Sequence, residues 1–309
     1  MTSYAVGGQI VDSELLLPEL PARRAVHCQS TLHVLARAPA FDGLDRVFEA
    51  RIDDGREWMV GLRATDSYVV RFPELALFTL SFDGRSIGVY PSNTAPAATI
   101  RHLFLDQVLP LALSLQGDLV LHAAAIVTPA GAAAFVGDTG EGKSTLAASF
   151  AQAGVLPLAD DCLIVRERGT GLLAMTSYAG LRLWPDAIAS LAIEPAGTTP
   201  VAHYCDKQRL PAEGPAIDTA VPLRRIYLLA PDAAGDDVRI ETTSQRDAVV
   251  QLLKHAYRIT PGDAEAAAAE LAQIARACSV CGVERLAYPR NFAALGAVRS
   301  AVLEDLARV

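Results

Sequence analysis

The sequence predicts an α/β fold with a β-rich front part, and three observations carry that expectation. Short runs of β-forming residues fill the opening third of the chain. From Leu119 onward, apolar strands alternate with helical runs. A glycine-rich loop, Gly137 to Ser144, stands between one of those strands and a helix. The boundary falls near residue 116, giving a β-rich domain over 1–115 and an α/β domain over 116–309.

Taken in order, Trp58 to Arg63, Tyr68 to Phe72 and Leu75 to Phe82 read as strands. Asp83-Gly84 then turns the chain into Ser86 to Tyr90, a strong hairpin signal. Residues 92–98 form a loop. Residues 99–115 follow with Ile100, Leu103, Phe104, Val108, Leu111 and Leu115 at helical spacing. Leu121 to Val127 and Gly131 to Val136 read as buried strands, and Lys143 to Ala153 as a helix stopped by Gly154. Leu156 to Ala159, Cys162 to Arg166 and Arg225 to Ala230 are further strands. Helices are expected over 245–256 and 263–278, the second capped by Asp263, and over 292–307 after a break at Tyr288-Pro289. Arg182 and Trp184, just before Pro185, read as structural. Asp206-Lys207-Gln208-Arg209 reads as a polar loop that could close on phosphates or hold an acceptor.

Composition narrows the function. The chain has 309 residues, 51% hydrophobic and 20% charged, so it can bury a sizeable core and is not a disordered chain. A net charge of −8 argues against a nucleic-acid partner, which would call for concentrated positive charge. Only three lysines (Lys143, Lys207, Lys254) stand among 27 basic residues, so each is worth a look. Five scattered cysteines do not make a disulfide framework, and Cys278-Ser279-Val280-Cys281 lacks the second pair a zinc ribbon needs. No stretch reaches the ~18 apolar residues of a membrane span, and the N-terminus does not read as a signal peptide. The expectation is a cytoplasmic protein with no membrane partner; homo-oligomerisation is left open.

Gly137-Asp138-Thr139-Gly140-Glu141-Gly142-Lys143-Ser144, followed by Thr145, fits the GxxxxGK[ST] phosphate-binding loop. Glycines let the backbone N–H groups turn inward, and the helix behind adds positive partial charge. Lys143 can reach the terminal phosphates of ATP, and the Ser144 hydroxyl can ligate Mg²⁺. Asp160 and Asp161 follow a short apolar run just beyond. At a strand end beside such a loop, one can serve a metal and the other can take a proton from an attacking hydroxyl. Two adjacent carboxylates repel, which raises one pKa unless a cation intervenes. His122, alone on an apolar run, reads first as a core residue.

Leu121-His122-Ala123, Gly137 to Ser144, Gly154 and Leu158-Ala159-Asp160-Asp161 together resemble the catalytic domain of the bacterial HPr kinase/phosphorylase family. Tyr288-Pro289-Arg290-Asn291 resembles that family's basic segment before its last helix. The resemblance spans roughly 119–300 and is densest over 121–165. It implies a P-loop kinase core of the HPr kinase/phosphoenolpyruvate carboxykinase type behind the β-rich N-terminal domain. It further implies transfer of the γ-phosphate of ATP, with Mg²⁺, to a serine of a peptide or protein. Asp160 would be the base, Asp161 would lie on the metal side with Ser144, His122 would sit near the reacting phosphate, and Arg290 would contact phosphate. Ser177-Tyr178-Ala179-Gly180 departs from the glutamate and arginine the family places before a glycine. Residues 1–115 resemble the front half of divergent relatives encoded beside lasso-peptide and other modified-peptide genes. A modified-peptide precursor is therefore the implied acceptor, in place of HPr, and the front domain a candidate for recognising it. Two alternatives stay open: a nucleotide-binding regulatory module without phosphotransfer, and a small-molecule kinase.

Overall fold

In the computed structural model, residues 1–24, 27–52, 54–178, 180–194, 197–210, 219–232, 237–259 and 264–309 are described. The chain divides into two compact units. One comprises Met1–Asp118, Ala202–Tyr204 and Tyr257–Ala269; the other comprises Leu119–Val201, Cys205–Ala256 and Glu270–Val309. The fold is mixed α/β.

The first unit is built on an eight-stranded sheet of β1 (Thr2–Val6), β2 (Gln9–Ser13), β3 (Ser30–Val34), β4 (Asp45–Arg51), β5 (Glu57–Arg63), β6 (Ser67–Phe72), β7 (Ala76–Ser81) and β8 (Ser86–Pro91). Its strand order is β1-β2-β3-β8-β7-β6-β5-β4. The Asp83-Gly84 turn joins β7 and β8 as the sequence predicts. Asp83 Oδ1 accepts from Ser81 Oγ at 2.6 Å and from Arg85 N at 3.0 Å, which closes the turn.

The helical run predicted over 99–115 is present, in three pieces: α1 (Ala97–Leu103), a π-helical turn Phe104–Val108, and α2 (Leu109–Leu115). The interruption follows from Pro110. It has no N–H to give the carbonyl of Asp106 four residues back, so the helix register is disturbed there. The Asp106 carbonyl accepts from the Tyr257 hydroxyl at 3.0 Å.

The second unit holds β9 (Leu119–Leu121), β10 (Ala123–Thr128), β11 (Gly131–Val136), α3 (Lys143–Gln152), β12 (Leu156–Ala159), β13 (Leu163–Arg168) and β14 (Gly171–Thr176). Then come β15 (Leu181–Leu183), α4 (Pro185–Ser190), β16 (Thr199–Ala202), β17 (Cys205–Leu210), β18 (Ala220–Asp232), β19 (Arg239–Thr242) and α5 (Gln245–His255). Helix α6 (Ala264–Val280) contributes its part from Glu270 onward, and β20 (Gly282–Pro289) and α7 (Leu295–Leu306) complete the unit. The main sheet runs β12-β10-β11-β18-β14-β13-β9, with β20 on β18 and β19 on β20. Strand β18 lies parallel to β11 and to β20. The continuous apolar run of β11 is explained by burial on both faces. Ala132, Ala134 and Val136 join one core, while Ala133 and Phe135 join another with Leu146 and Phe150 of α3 and Val298 of α7.

Two sequence expectations meet a different outcome. Residues 121–127 are not one strand. The chain breaks at His122, whose N–H donates to His255 O at 2.7 Å, so β9 pairs with β13 while β10 pairs with β11 and β12. Asp206 to Arg209 is not a loop. It lies within β17, which pairs antiparallel with β15 and forms a small sheet in the order β15-β17-β16. Tyr288-Pro289 does break the chain before the last helix, as expected, and it does so as the end of β20, a strand that the sequence did not show. The cap assigned to Asp263 lies outside the described residues.

Gly84 has φ +68°, and a β-carbon there would overlap the carbonyl oxygen of Ala112. Gly84→Ala should therefore cost about 1–3 kcal/mol, through strained backbone and that contact. The urea midpoint of the first unit's unfolding would fall at unchanged slope. An unmoved midpoint would mean that the turn can relax away from Ala112.

Candidate functional site

Strand β11 runs directly into the loop Gly137–Gly142, and α3 begins at Lys143. This is the strand–loop–helix context that the motif requires. Gly140 and Gly142 take φ of +88° and +95°, conformations that a β-carbon would strain. The loop is held from inside and from outside. Glu141 turns its carboxylate back under the loop, where Oε2 accepts from Asp138 N at 2.7 Å and fills the space beside Gly137. From the end of β20, the Tyr288 hydroxyl donates to Glu141 O at 2.8 Å, and just beyond it Arg290 Nη2 donates to Gly140 O at 3.2 Å. Burial pushes the Tyr288 hydroxyl up to about 12, so it remains a donor.

Lys143 is buried, and its ammonium donates to the carbonyls of Gly137 at 2.7 Å and Asp138 at 3.1 Å. Burial lowers its pKa, against the pull of Asp161 and Asp160. Ser144, in the first turn of α3, donates through Oγ to Asp160 Oδ1 at 2.7 Å. Thr145 lies in the same turn, and Thr139 is exposed at the loop tip. First-turn N–H groups of a helix have no intrahelical acceptor, so this end of α3 presents donors as well as a positive partial charge.

Asp160 and Asp161 leave the end of β12, both buried. Their counter-charge is Arg182 of β15, only 1% exposed. Its backbone N–H donates to Asp160 Oδ2 at 2.7 Å, and its guanidinium Nη1 donates to Asp160 O at 3.0 Å. The same nitrogen lies 3.7 Å from Asp161 Oδ2. The guanidinium stacks on Tyr178, 4.3 Å from the ring centre. The two carboxylates are pushed apart in proton affinity. Burial and the charge of Asp161 raise Asp160, against Arg182 and the hydrogen bond from Ser144. Burial alone would raise Asp161 too, but Arg182, His122, Lys207 and Lys143 outweigh it and hold that carboxyl below the usual range.

His122 sits beside the pair. Its Nδ1 is 3.2 Å from Asp161 O, and since a carbonyl only accepts, Nδ1 carries the hydrogen. Asp161 itself has φ +65°, a left-handed conformation that Asp tolerates better than most residues. On the other side of His122, α5 ends at His255, whose Nε2 is 3.9 Å from Asp138 Oδ1.

The structure thus brings Lys143, Ser144, Asp160, Asp161 and His122 together and sets Arg290 against the loop. Sequence reasoning missed Arg182, His255 and Tyr288. The one local sign of Arg182 was an arginine between two leucines in a short strand. Among the described residues no group of three or more His, Cys, Asp or Glu side chains could hold a metal ion. A hard cation here would have to share ligands with a bound anion, using the Ser144 hydroxyl and the aspartate oxygens. Away from this site, burial raises the thiols of Cys278 and Cys281 to about 11 and about 12, so neither is a thiolate at neutral pH.

Burial lowers the pKa of His122 from 6.5 to about 4, against the charge of Asp161. Between those values the unfolded chain binds a proton that the fold does not. The residue's stabilising contribution is therefore complete above 6.5 and is lost as pH falls towards about 4. An NMR titration should find the ring neutral throughout the ordinary histidine range; protonation near the usual value would refute the burial argument.

No protein-family model matches the chain, and no curated protein is similar to it. Among solved structures it is similar to the HPr(Ser) kinase/phosphatase from Coxiella burnetii, at 11% identity and a TM-score of 0.31. That match takes in 60% of this chain and 97% of the other.

Proposed function

We propose that this protein is an ATP-dependent kinase that transfers the γ-phosphate to a serine hydroxyl of a peptide or protein. The observation that carries the reading is the 2.7 Å hydrogen bond from Ser144 Oγ to Asp160 Oδ1. It joins the first turn behind a GxxxxGKS loop to a pair of buried carboxylates, and a simple anion-binding turn has no need of that pair.

The residues fit a magnesium-bound triphosphate. The loop amides and Lys143 would hold phosphate oxygens, and Ser144 with an aspartate would hold Mg²⁺, which supplies charge neutralisation at the transferring group. The chain's own contribution is positioning and proton transfer. Asp160, with its raised proton affinity, takes the proton of the acceptor hydroxyl. Arg182 keeps the carboxylate pair fixed, and Asp161 remains ionised beside it. His122, neutral, donates through Nδ1 to Asp161 O and so orients that backbone. Such a site works by alignment and preorganised charge. A peptide precursor as acceptor follows from the family resemblance alone.

Lys143→Ala should abolish nucleotide turnover. Asp160→Asn should keep nucleotide binding and lose transfer by about a hundredfold to ten-thousandfold, the usual worth of a general base. Transfer retained in Asp160→Asn but lost in Asp161→Asn would move the base to the outer carboxylate. With γ-labelled ATP and a serine-containing peptide encoded by a neighbouring gene, label should appear on the peptide. Label found only as free phosphate, or left on the nucleotide, would favour a nucleotide-binding module instead.

A further inference from the structure

A second lysine stands on the face that holds the carboxylate pair. In the β15–β17 ladder Arg182 lies opposite Arg209, and Leu181 and Leu183 lie opposite Leu210 and Gln208. Directly opposed residues share a sheet face, as do residues two apart along a strand. Arg182, Arg209 and Lys207 therefore occupy one face, and the three leucines the other. The leucine face packs against Ala147 and Ala148 of α3. That packing orients the cationic face, on which Arg182 already reaches both Asp160 and Asp161.

Lys207 is half-buried, and its ammonium lies over the ring of Trp184, 5.6 Å from the centre. Among the described residues it makes no ion pair, in a chain with 35 acidic residues. Its charge nevertheless faces the site, because it stands on the strand face from which Arg182 reaches Asp160 and Asp161. Two ammonium groups near one site favour an anion there. Arg182 and Arg209 are both stacked on Tyr178 and so less free to meet a ligand. Lys207, on a flexible stem and resting on an aromatic face, can leave it for a phosphate.

We propose that Lys207 is a second phosphate-binding cation of this site, taking the terminal phosphate of a nucleoside triphosphate opposite Lys143, with the ring of Trp184 as its resting place. The inference rests on the reading of Gly137 to Ser144 as a phosphate loop. It adds a determinant of triphosphate over diphosphate recognition.

Equilibrium binding of Mg·ATP and Mg·ADP separates the two ideas. Lys207→Met should weaken ATP by about tenfold, the worth of one charge-assisted hydrogen bond, and ADP by less than about threefold. Lys207→Arg should recover most of the loss. The chain has two tryptophans, so Trp58→Phe leaves Trp184 as the reporter. Its emission should shift with ATP and not with ADP, and that shift should vanish in Lys207→Met. Wild-type affinities for both nucleotides in Lys207→Met would overturn the proposal while leaving the phosphate loop standing. Equal losses for ATP and ADP would remove the terminal-phosphate assignment. A wild-type protein that binds neither nucleotide would bring down the loop reading and this one with it.

Discussion

Two adjacent carboxylates buried at the end of β12 are the constraint to which the rest of this unit answers. A buried ion without a partner costs several kcal/mol, and two of like sign cost more. Arg182 resolves this by approaching from a neighbouring strand with main-chain and side-chain donors at once. Its guanidinium is paid for in turn by the Tyr178 face and by the carboxylates themselves. This is why an arginine can sit between Leu181 and Leu183 in a strand whose other face is pure core. It also accounts for the unusual backbone of Asp161. A left-handed aspartate persists where its carbonyl is met by His122 and its carboxylate faces Arg182.

The loop beside the pair is stiff for related reasons. Glycine lets it curl, but glycine alone would leave it loose. Glu141 closes it from within, and Tyr288 and Arg290 brace its outer carbonyls from the far end of β20. Strand β20 lies parallel to β18, which lies parallel to β11, so the brace and the loop are tied through one continuous ladder. Preorganised donors of this kind lose little on meeting a charge, and that makes the electrostatics effective.

How much of this was legible in the sequence depends on distance along the chain. The loop, its flanking strand and helix, and the paired aspartates were readable because each is a local pattern. The Asp83-Gly84 hairpin was readable for the same reason. The break at His122 was not, because its cause is a carbonyl supplied by His255 from the end of α5. Nor was β17, since a strand dense in polar residues resembles a solvated loop until a partner strand and a leucine-rich reverse face are known. Arg182 was read as structural because its partners lie 22 residues away, and spacing carries no sign of that contact.

The choice between arginine and lysine in this site follows chemistry. The chain strongly favours arginine, yet two of its three lysines act on Asp161. Where a cation must be fixed, as at Arg182, the planar guanidinium supplies several donors in a rigid fork and stacks on an aromatic ring. Where a cation must meet a ligand whose oxygens move during reaction, a compact ammonium on a flexible stem is better suited. Lys143, bonded to two loop carbonyls, and Lys207, resting on Trp184, both hold replaceable contacts that an incoming anion could outbid. A lysine at both positions, in a chain so rich in arginine, is what the proposed phosphate site would use.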